Sequence, residues 1–262
     1  MKTYLISLEQ DIQRRNELAQ RFPLTYPKMQ WVQAVNGKEL TAKEYFSYAQ
    51  QYFNTHQKII TPSEVGCTLS HIKALETFLE TDDEYCLILE DDVIGDDKDL
   101  NFIIGLVYKN GINGVLALRS QKGFGYEKYI MAKHDNDFYR LPSFSVRFIY
   151  GTCAYIVNRY SARIILESHR INFEIADIWS NIINKNIDFY YLDLFIHPED
   201  LTASHIESER AIFYTKEKNF FKRIYKQGVF WKISNRIRND LCCWWLLLSG
   251  YKQIHSSKPD NH

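Results

Sequence analysis

The sequence predicts an α/β protein in which helices alternate with the buried strands of a mostly parallel sheet. Three runs that are apolar almost throughout carry this prediction: Tyr85–Leu89, Gly114–Leu118 and Cys153–Val157. Such continuous runs are typical of strands that are covered on both faces. Segments with helical features lie between and after them, as expected of helices packed on a parallel sheet. The chain has 262 residues, enough for one sizeable domain or a domain with an appendage.

Local patterns predict the elements that precede the first apolar run. These are a strand at Tyr4–Leu8, a polar helix at about Asp11–Arg21 and a strand at Met29–Ala34. Thr61 and Glu64 then have the spacing of a capping box, and Pro62 between them suits the first helical position. We therefore predict a helix from there to about Glu80.

The elements after the last apolar run are predicted from periodicity. They are a helix at about Tyr160–Ser168, a short helix near Ala176–Asn184 and a strand at Phe189–Leu192. No internal repeat or low-complexity linker interrupts them.

The charge of the chain is unevenly distributed, although the formal net charge is zero. Residues 216–262 hold ten Lys and Arg against three Asp and Glu, whereas residues 1–215 hold 22 against 29. We predict a main domain over 1–215 and a basic, amphipathic helical appendage over 216–262. Basic and aromatic residues alternate in this tail, which favours contact with an anionic membrane surface. Packing of the tail on the domain is the alternative, and the acidic main domain argues against nucleic acid as a partner.

Three further features bear on location. The five cysteines are odd in number and form no CxxC pair, which favours reduced thiols in the cytosol. The N-terminal residues are typical of a first strand rather than of a signal peptide. The apolar stretch Leu241–Leu248 is too short to cross a bilayer, which needs about 20 residues. We expect a cytoplasmic protein, peripheral on the inner face of the bacterial inner membrane.

Three consecutive acids, Glu90, Asp91 and Asp92, follow the strand at Tyr85–Leu89. Adjacent like charges repel, and a divalent cation such as Mg²⁺ or Mn²⁺ would remove that repulsion. Alternate positions on an extended chain share a side, so Glu90 and Asp92 are the expected metal ligands, with Asp91 in a supporting role. The carboxyl end of a strand is also where ligands bind in α/β folds. A solvated acidic turn is the alternative.

Four ordered segments resemble glycosyltransferase family 25, the bacterial lipooligosaccharide glycosyltransferases related to collagen galactosyltransferases. They are YLISLEQDIQRR (4–15), PSEVGCTLSHIKAL (62–75), CLILEDDV (86–93) and YGTCAYIVNRYSARIIL (150–166). The resemblance covers about residues 1–210. It implies a GT-A-like nucleotide-binding sandwich, a UDP-sugar donor, inversion at the anomeric carbon and a metal- and diphosphate-binding role for Glu90–Asp92.

Further site residues are assigned from the resemblance and from their positions. For the donor they are Ser7, Arg14, Glu64, Asp91 and Arg119, and for the acceptor His71, Gly151 and Thr152. Arg15, like Arg14, is a candidate for a contact with the donor phosphate or uracil, and a solvated helix face is the alternative for both. Each has a structural alternative: a helix cap for Glu64, a core position for His71, a salt bridge to the acids for Arg119 and a packing bulge for Gly151 and Thr152.

Inverting transfer also needs a general base for the acceptor hydroxyl. Asp177 matches a family position at the start of the short late helix and is the expected base, with a helix cap as its alternative. Ser204 and His205 lie in a late polar motif, where His205 is a weak candidate metal ligand. Glu64, Cys67 and His71 share one side of a helix, but no second cluster is evident that would complete a zinc site.

The favoured function is therefore an inverting, metal-dependent hexosyltransferase. It would move galactose, or else glucose, from a UDP-sugar to a lipooligosaccharide acceptor. The alternatives are a non-catalytic scaffold that binds nucleotide-sugars at the membrane surface and a metal-dependent phosphohydrolase, which would need a second metal cluster.

Overall fold

A computed structural model describes residues 1–121, 125–183, 187–198, 209–210 and 228–254. The strands are β1 (Lys2–Ser7), β2 (Gln30–Gln33), β3 (Tyr85–Glu90), β4 (Gly114–Arg119), β5 (Met131–Asp135), β6 (Phe138–Leu141), β7 (Ala154–Asn158), β8 (Asp188–Phe195) and β9 (Lys252–Gln253). The helices are α1 (Ile12–Arg21), α2 (Ala42–His56), α3 (Pro62–Leu79), α4 (Asp97–Asn110), α5 (Ser143–Val146), α6 (Arg159–Ile171), α7 (Trp179–Ile182) and α8 (Gly228–Leu248).

Within these residues the strands form one sheet in the order β2-β1-β3-β7-β4-β8-β6-β5-β9. Strands β1, β2, β3, β4, β5 and β8 run in one direction, and β6, β7 and β9 run in the other. The predicted α/β class and a sheet in which most strands share one direction are confirmed. The reversed strand β7 lies between β3 and β4, so its first residue meets the edge where its neighbours end.

Helices cover both faces of the central strands, which explains the continuous apolar runs. In β3, Cys86 and Ile88 point into a core shared with α3 and α6, and Leu87 and Leu89 point into a second core shared with α1 and α4. Side chains alternate across a strand, so a strand between two cores has to be apolar at every position.

Helix α3 begins as predicted. The Thr61 hydroxyl accepts from the Glu64 backbone N–H, and the Glu64 carboxylate accepts from the Thr61 backbone N–H at 2.8 Å. The buried surface of α3 extends beyond its apolar side chains, because Gly66 packs against Gly37 in the segment that follows β2. A Cβ atom at Gly66 would lie 2.5 Å from the Gly37 nitrogen. This contact places the loop at residues 35–38 beside α3.

Several elements differ from the sequence prediction. Helices α2 and α4, the β5–β6 hairpin and strand β9 were not predicted. Strand β8 continues to Phe195, three residues beyond the predicted end, and the short helix α7 spans only Trp179–Ile182.

The described part of the tail packs on the main domain and also exposes an apolar face. Strand β9 pairs with β5, and Leu246 of α8 is buried. The opposite side of α8 exposes apolar side chains at helical spacing, named here the α8 stripe: Ile233, Ile237, Leu241, Trp244, Trp245 and Leu248. Among the described residues, no helix has the length and apolarity needed to span a membrane.

Candidate functional site

A cleft of about 1090 Å³ opens where parallel strands of the sheet end. Ser7 closes β1, Glu90 closes β3, Arg119 closes β4, and His197 lies two residues beyond β8. Thr152 and Cys153 immediately precede the reversed strand β7 and so reach the same edge. All of these residues line the cleft, which therefore occupies the ligand-binding edge that an α/β fold predicts.

The acidic triplet divides between two sets of partners. The Glu90 carboxylate lies 3.2 Å from Nε2 of His71 and 3.1 Å from the Thr152 hydroxyl. Arg14 pairs with both aspartates, at 3.2 Å from Asp91 and 3.4 Å from Asp92. The triplet is thus neither a solvated turn nor one uniform acidic patch.

The two aspartates also differ electrostatically. Burial raises the pKa of Asp91 to about 6, against the opposing effects of a hydrogen bond from Ser7 and the charge of Arg14. Burial would raise the pKa of Asp92 as well, but the hydrogen bond and charge of His197 at 3.3 Å lower it overall. The same pairing raises the pKa of His197 against the effect of its burial. Asp92 and His197 therefore stabilise each other's charged forms.

Thr152 joins the predicted base to the acidic triplet. Its hydroxyl lies 3.0 Å from Oδ1 of Asp177 and 3.1 Å from Oε1 of Glu90. A hydroxyl has a single proton, so it can donate to only one of these carboxylates at a time. Asp177 does not cap α7, whose N-cap is Ile178 without a side-chain hydrogen bond. The cap alternative for Asp177 is therefore wrong.

Gly151 adopts a left-handed backbone conformation, with φ at 87°. Its N–H donates to the Asp177 carbonyl at 3.0 Å, and its carbonyl accepts from the Trp179 indole at 3.0 Å. The Arg119 side chain passes directly over this glycine and donates to the Tyr150 carbonyl at 3.3 Å. Gly151 is thus needed both for its conformation and for the passage of Arg119 into the cleft.

The two adjacent arginines of α1 have different positions. Arg14 lines the cleft beside the aspartates. Arg15 instead donates to the Ser7 hydroxyl at 2.8 Å and to the Glu9 carbonyl at 2.8 Å, and its guanidinium lies 4.5 Å from the centre of the Trp31 ring. Arg15 therefore holds the turn between β1 and α1.

Glu64 serves the cap of α3 and also binds an arginine from much later in the chain. Its Oε1 accepts from Nε and Nη2 of Arg210, each at 2.8 Å. Glu209 accepts from the Ser63 backbone N–H at 2.9 Å and pairs with Lys38 at 3.5 Å. Arg210 and Lys38 both line the cleft, so Glu64 acts on the cleft through Arg210.

His71 is a buried residue of α3 that also lines the cleft. Its Nδ1 lies 3.1 Å from the Tyr155 hydroxyl, opposite the nitrogen that faces Glu90. Cys67, one turn earlier in α3, also lines the cleft, and burial raises the pKa of its thiol well above the ordinary value. The imidazole is thus oriented by contacts at both nitrogens.

Among the described residues, the structure brings the predicted site residues together in the cleft with two exceptions: Glu64 lies behind Arg210, and Arg15 holds the turn between β1 and α1. Sequence reasoning missed His197, Arg210 and Lys38. His197 would have been a candidate had the end of β8 been placed correctly, whereas Arg210 and Lys38 carry no local signal. Ser204 and His205 lie outside the described residues.

Comparisons with known proteins identify the family to which the chain is similar. Residues 1–179 match the family model described as glycosyltransferase family 25 (LPS biosynthesis protein). Two proteins named glycosyltransferase 25 family member, from Anopheles gambiae and Aedes aegypti, are 31% and 32% identical over 98 residues. That match covers 34% of this chain and 16% of each relative, so it spans about a sixth of the relatives' length.

Among solved structures, the galactosyltransferase LgtC in complex with donor and acceptor sugar analogues aligns with a TM-score of 0.38 at 11% identity. The alignment covers 79% of this chain and 93% of LgtC. The family assignment does not depend on this distant likeness, because the family model alone spans the strands and loops that build most of the cleft. The chain belongs to glycosyltransferase family 25.

Proposed function

We propose that the protein is an inverting, metal-dependent glycosyltransferase that moves a hexose from a UDP-sugar to a lipooligosaccharide acceptor. The observation that carries this proposal is the cleft itself, where Thr152 joins a candidate base, Asp177, to the acidic triplet. The family membership and the position of the cleft at this edge of the sheet support a GT-A-like donor site at the carboxyl ends of β1 and β3.

The carboxylates of the acidic triplet support the binding of a divalent metal, Mn²⁺ or Mg²⁺. Oδ1 of Asp92 is buried and has no hydrogen-bond partner among the described residues, which is unfavourable for a carboxylate unless a cation binds there. Glu90 and Asp92 would hold the metal, and His197, beside Asp92, is an additional candidate ligand. A bound metal would neutralise the diphosphate leaving group.

Arginines supply the remaining positive charge for the donor. Arg14, Arg119 and Arg210 all line the cleft, from α1, from the end of β4 and from the late segment. Guanidinium groups bind phosphate oxygens in a bidentate manner, which suits a diphosphate. Asp91, with a hydrogen bond from Ser7, would hold Arg14 in place, and Glu64 would hold Arg210.

Asp177 is the proposed general base. Its carboxylate would take the proton of the acceptor hydroxyl as that oxygen attacks the sugar from the face opposite the diphosphate. The Thr152 hydroxyl fixes one carboxylate oxygen at 3.0 Å and so orients the base. His71, Gly151 and Thr152 would form the acceptor side of the cleft.

Galactose, or else glucose, and a lipooligosaccharide acceptor are the finer parts of the proposal. The description of the matching family as LPS biosynthesis supports the acceptor class. The α8 stripe supports a location at the inner membrane surface, since exposed Arg236 and Arg238 accompany two exposed tryptophans on that helix. The basic tail, residues 216–262, would thus bring a cytoplasmic enzyme to a lipid-linked acceptor.

A nucleotide-sugar screen by thermal shift, with and without Mn²⁺, tests the donor class. Stabilisation that is selective for one UDP-sugar and requires the metal is the expected result. Turnover of that donor should collapse in Asp92→Ala and in Asp177→Asn, and full activity of both variants would refute the residue assignments. Binding of the UDP-sugar without transfer to any of a panel of acceptors would favour the non-catalytic scaffold.

A further inference from the structure

A second cluster of metal-ligating groups lies on the wall of the cleft, next to the proposed donor site. Cys67 and His71 are one helical turn apart in α3, and Glu90 approaches them from the end of β3. One ligand atom from each residue lies within 4.8 Å of the other two. Sequence spacing placed Cys67 and His71 with Glu64 on one side of α3 and offered no second cluster for the remaining ligands; in the structure Glu90, from β3, joins Cys67 and His71.

The surroundings of His71 orient its ring as in a metal site. Its Nδ1 contacts the Tyr155 hydroxyl at 3.1 Å, so Nε2 faces Glu90. Metal-binding histidines are typically held in this way, with the second ring nitrogen fixed by a hydrogen bond. Glu90 has an outer partner of its own, the Thr152 hydroxyl at 3.1 Å. Two of the three ligands thus have the outer contacts that a metal site needs.

The chemistry of the three ligands selects the kind of metal. Thiolate, imidazole and carboxylate together suit the borderline-soft Zn²⁺, whereas Mg²⁺ and Mn²⁺ prefer oxygen ligands. Cys67, His71 and Glu90 all line the cleft, so a water molecule or a ligand can take the fourth tetrahedral position. On binding, the thiol would release its proton to solvent and the thiolate would bind the metal.

We propose that Cys67, His71 and Glu90 form a Zn²⁺ site and that zinc bound there inhibits the enzyme. Glu90 belongs both to this cluster and to the proposed Mn²⁺ or Mg²⁺ pair. A carboxylate that binds zinc beside Cys67 and His71 binds a second metal beside Asp92 more weakly. Zinc would therefore withdraw Glu90 from Asp92. The inhibitory part of this inference rests on the proposed function, but the binding part does not.

Calorimetry with ZnCl₂ on the full chain tests the binding part. We expect one site in the wild type and an affinity at least about tenfold lower in Cys67→Ser and in His71→Ala, because each loses a ligand. Cys242→Ser is the matched control, since it removes a half-buried thiol of α8 outside the cleft, and it should bind zinc as the wild type does. Equal zinc affinity in the wild type and Cys67→Ser would overturn the site.

Cobalt gives a second readout that does not depend on activity. Co²⁺ bound to the wild type should show a thiolate-to-metal absorption band that is absent in Cys67→Ser and retained in Cys242→Ser. A band that persists in Cys67→Ser would contradict the inference. Circular dichroism of each variant shows whether its fold is intact. If a variant misfolds, the wild type alone is used, and added Zn²⁺ should displace Co²⁺ and abolish the absorption band. A band that persists in the presence of Zn²⁺ would overturn the site.

The inhibitory part is measured as Mn²⁺-dependent turnover during a Zn²⁺ titration. The zinc concentration that halves turnover should rise at least about tenfold in Cys67→Ser, as expected for loss of a ligand, and an unchanged concentration would refute inhibition through this site. Asp92→Ala separates the two proposals. It should lose turnover while still binding one zinc ion, so retained turnover there counts against the proposed function and loss of zinc binding counts against the Zn²⁺ site.

Discussion

Arg119 lies so close to Gly151 that a Cβ atom built on the glycine would sit 2.0 Å from Nη1 of the arginine. The backbone of Gly151 is also left-handed, with φ at 87°. Position 151 therefore excludes a side chain for two independent reasons, and both bear on where Arg119 points.

Gly151→Ala should destabilise the fold and displace Arg119. Strain at a left-handed position costs about 1–3 kcal/mol, and the clash adds to it. We expect a lower free energy of unfolding in urea together with weaker binding of the donor. Gly105→Ala is the control, because Gly105 is an exposed residue of α4 with nothing near its Cβ position. That variant should be unchanged or more stable by up to about 1 kcal/mol. Equal stability of the two variants would contradict this view of Gly151.

Thr152→Val should lower kcat while leaving donor binding largely intact. Valine keeps the shape of the side chain but lacks the hydroxyl that orients the Asp177 carboxylate at 3.0 Å. General-base catalysis contributes about 10²–10⁴-fold, so the loss should be smaller than in Asp177→Asn. Thr152→Ser retains the hydroxyl and is the control. If valine and serine gave the same kcat, the hydroxyl would have no role in orienting the base.

Glu64→Gln should weaken donor binding with little change in stability. Glutamine can still complete the capping box of α3, but it removes the negative charge that pairs with Arg210 at 2.8 Å. We expect KM for the donor to rise several-fold and the midpoint of urea unfolding to move little. Thr61→Ala is the converse variant, which should cost about 1 kcal/mol of stability through loss of the cap. An unchanged KM in Glu64→Gln would argue that Arg210 does not bind the donor.

His169 should make the fold acid-sensitive above pH 4. Burial, reinforced by the nearby charge of His71, lowers the pKa of His169 to about 4 in the folded protein, from 6.5 when unfolded. Between these values the unfolded state binds more protons. The free energy of unfolding therefore falls as the pH drops from about 6.5 towards 4, by up to about 3 kcal/mol.

Urea unfolding at a series of pH values measures this effect. His169→Gln has no titrating group, so its curve should be flatter over the same range. If the wild type and His169→Gln lost stability in parallel as the pH fell, His169 would not be the source of the acid sensitivity.

The double variant Trp244→Ser, Trp245→Ser should bind anionic vesicles at least about tenfold more weakly than the wild type, because it removes two large apolar side chains from the α8 stripe. Co-sedimentation with vesicles that contain phosphatidylglycerol measures the binding. Neutral phosphatidylcholine vesicles should bind less wild-type protein. Activity on a water-soluble donor and acceptor should be retained. Vesicle binding equal to that of the wild type would mean that the stripe has another partner.

Most of the central fold could be predicted because burial on both faces leaves a direct trace in sequence. The apolar runs of β3, β4 and β7 were visible for this reason. The end of β8 was missed since Asp193 interrupts its apolar run, while hydrogen bonds continue the strand to Phe195. Helix α4 was missed because the acids that open it, Asp96, Asp97 and Asp99, are also the composition of many surface turns. Asp96 in fact caps α4, and Asp97 accepts from the Thr25 backbone N–H at 2.9 Å.

The candidate site could be predicted only where several of its side chains lie close together in sequence. Glu90–Asp92 could be identified because three acids follow an apolar strand. How the triplet divides, with Glu90 towards His71 and the aspartates towards Arg14, depends on helices that are distant in sequence. The pairing of Arg210 with Glu64 joins residues 146 positions apart, and no local pattern specifies such a contact.

The cleft draws on residues from Ile6 to Arg210, and Ile196 and His197 reach it just beyond the end of β8, which pairs with β4. Its assembly therefore requires contacts of long sequence separation, which form slowly because loop closure costs entropy before the contacts compensate for it. Partly folded chains would have helices and core strands but not the complete cleft. Recovery of nucleotide binding should therefore lag behind recovery of secondary structure during refolding, and the ligand itself would report when the sheet is complete.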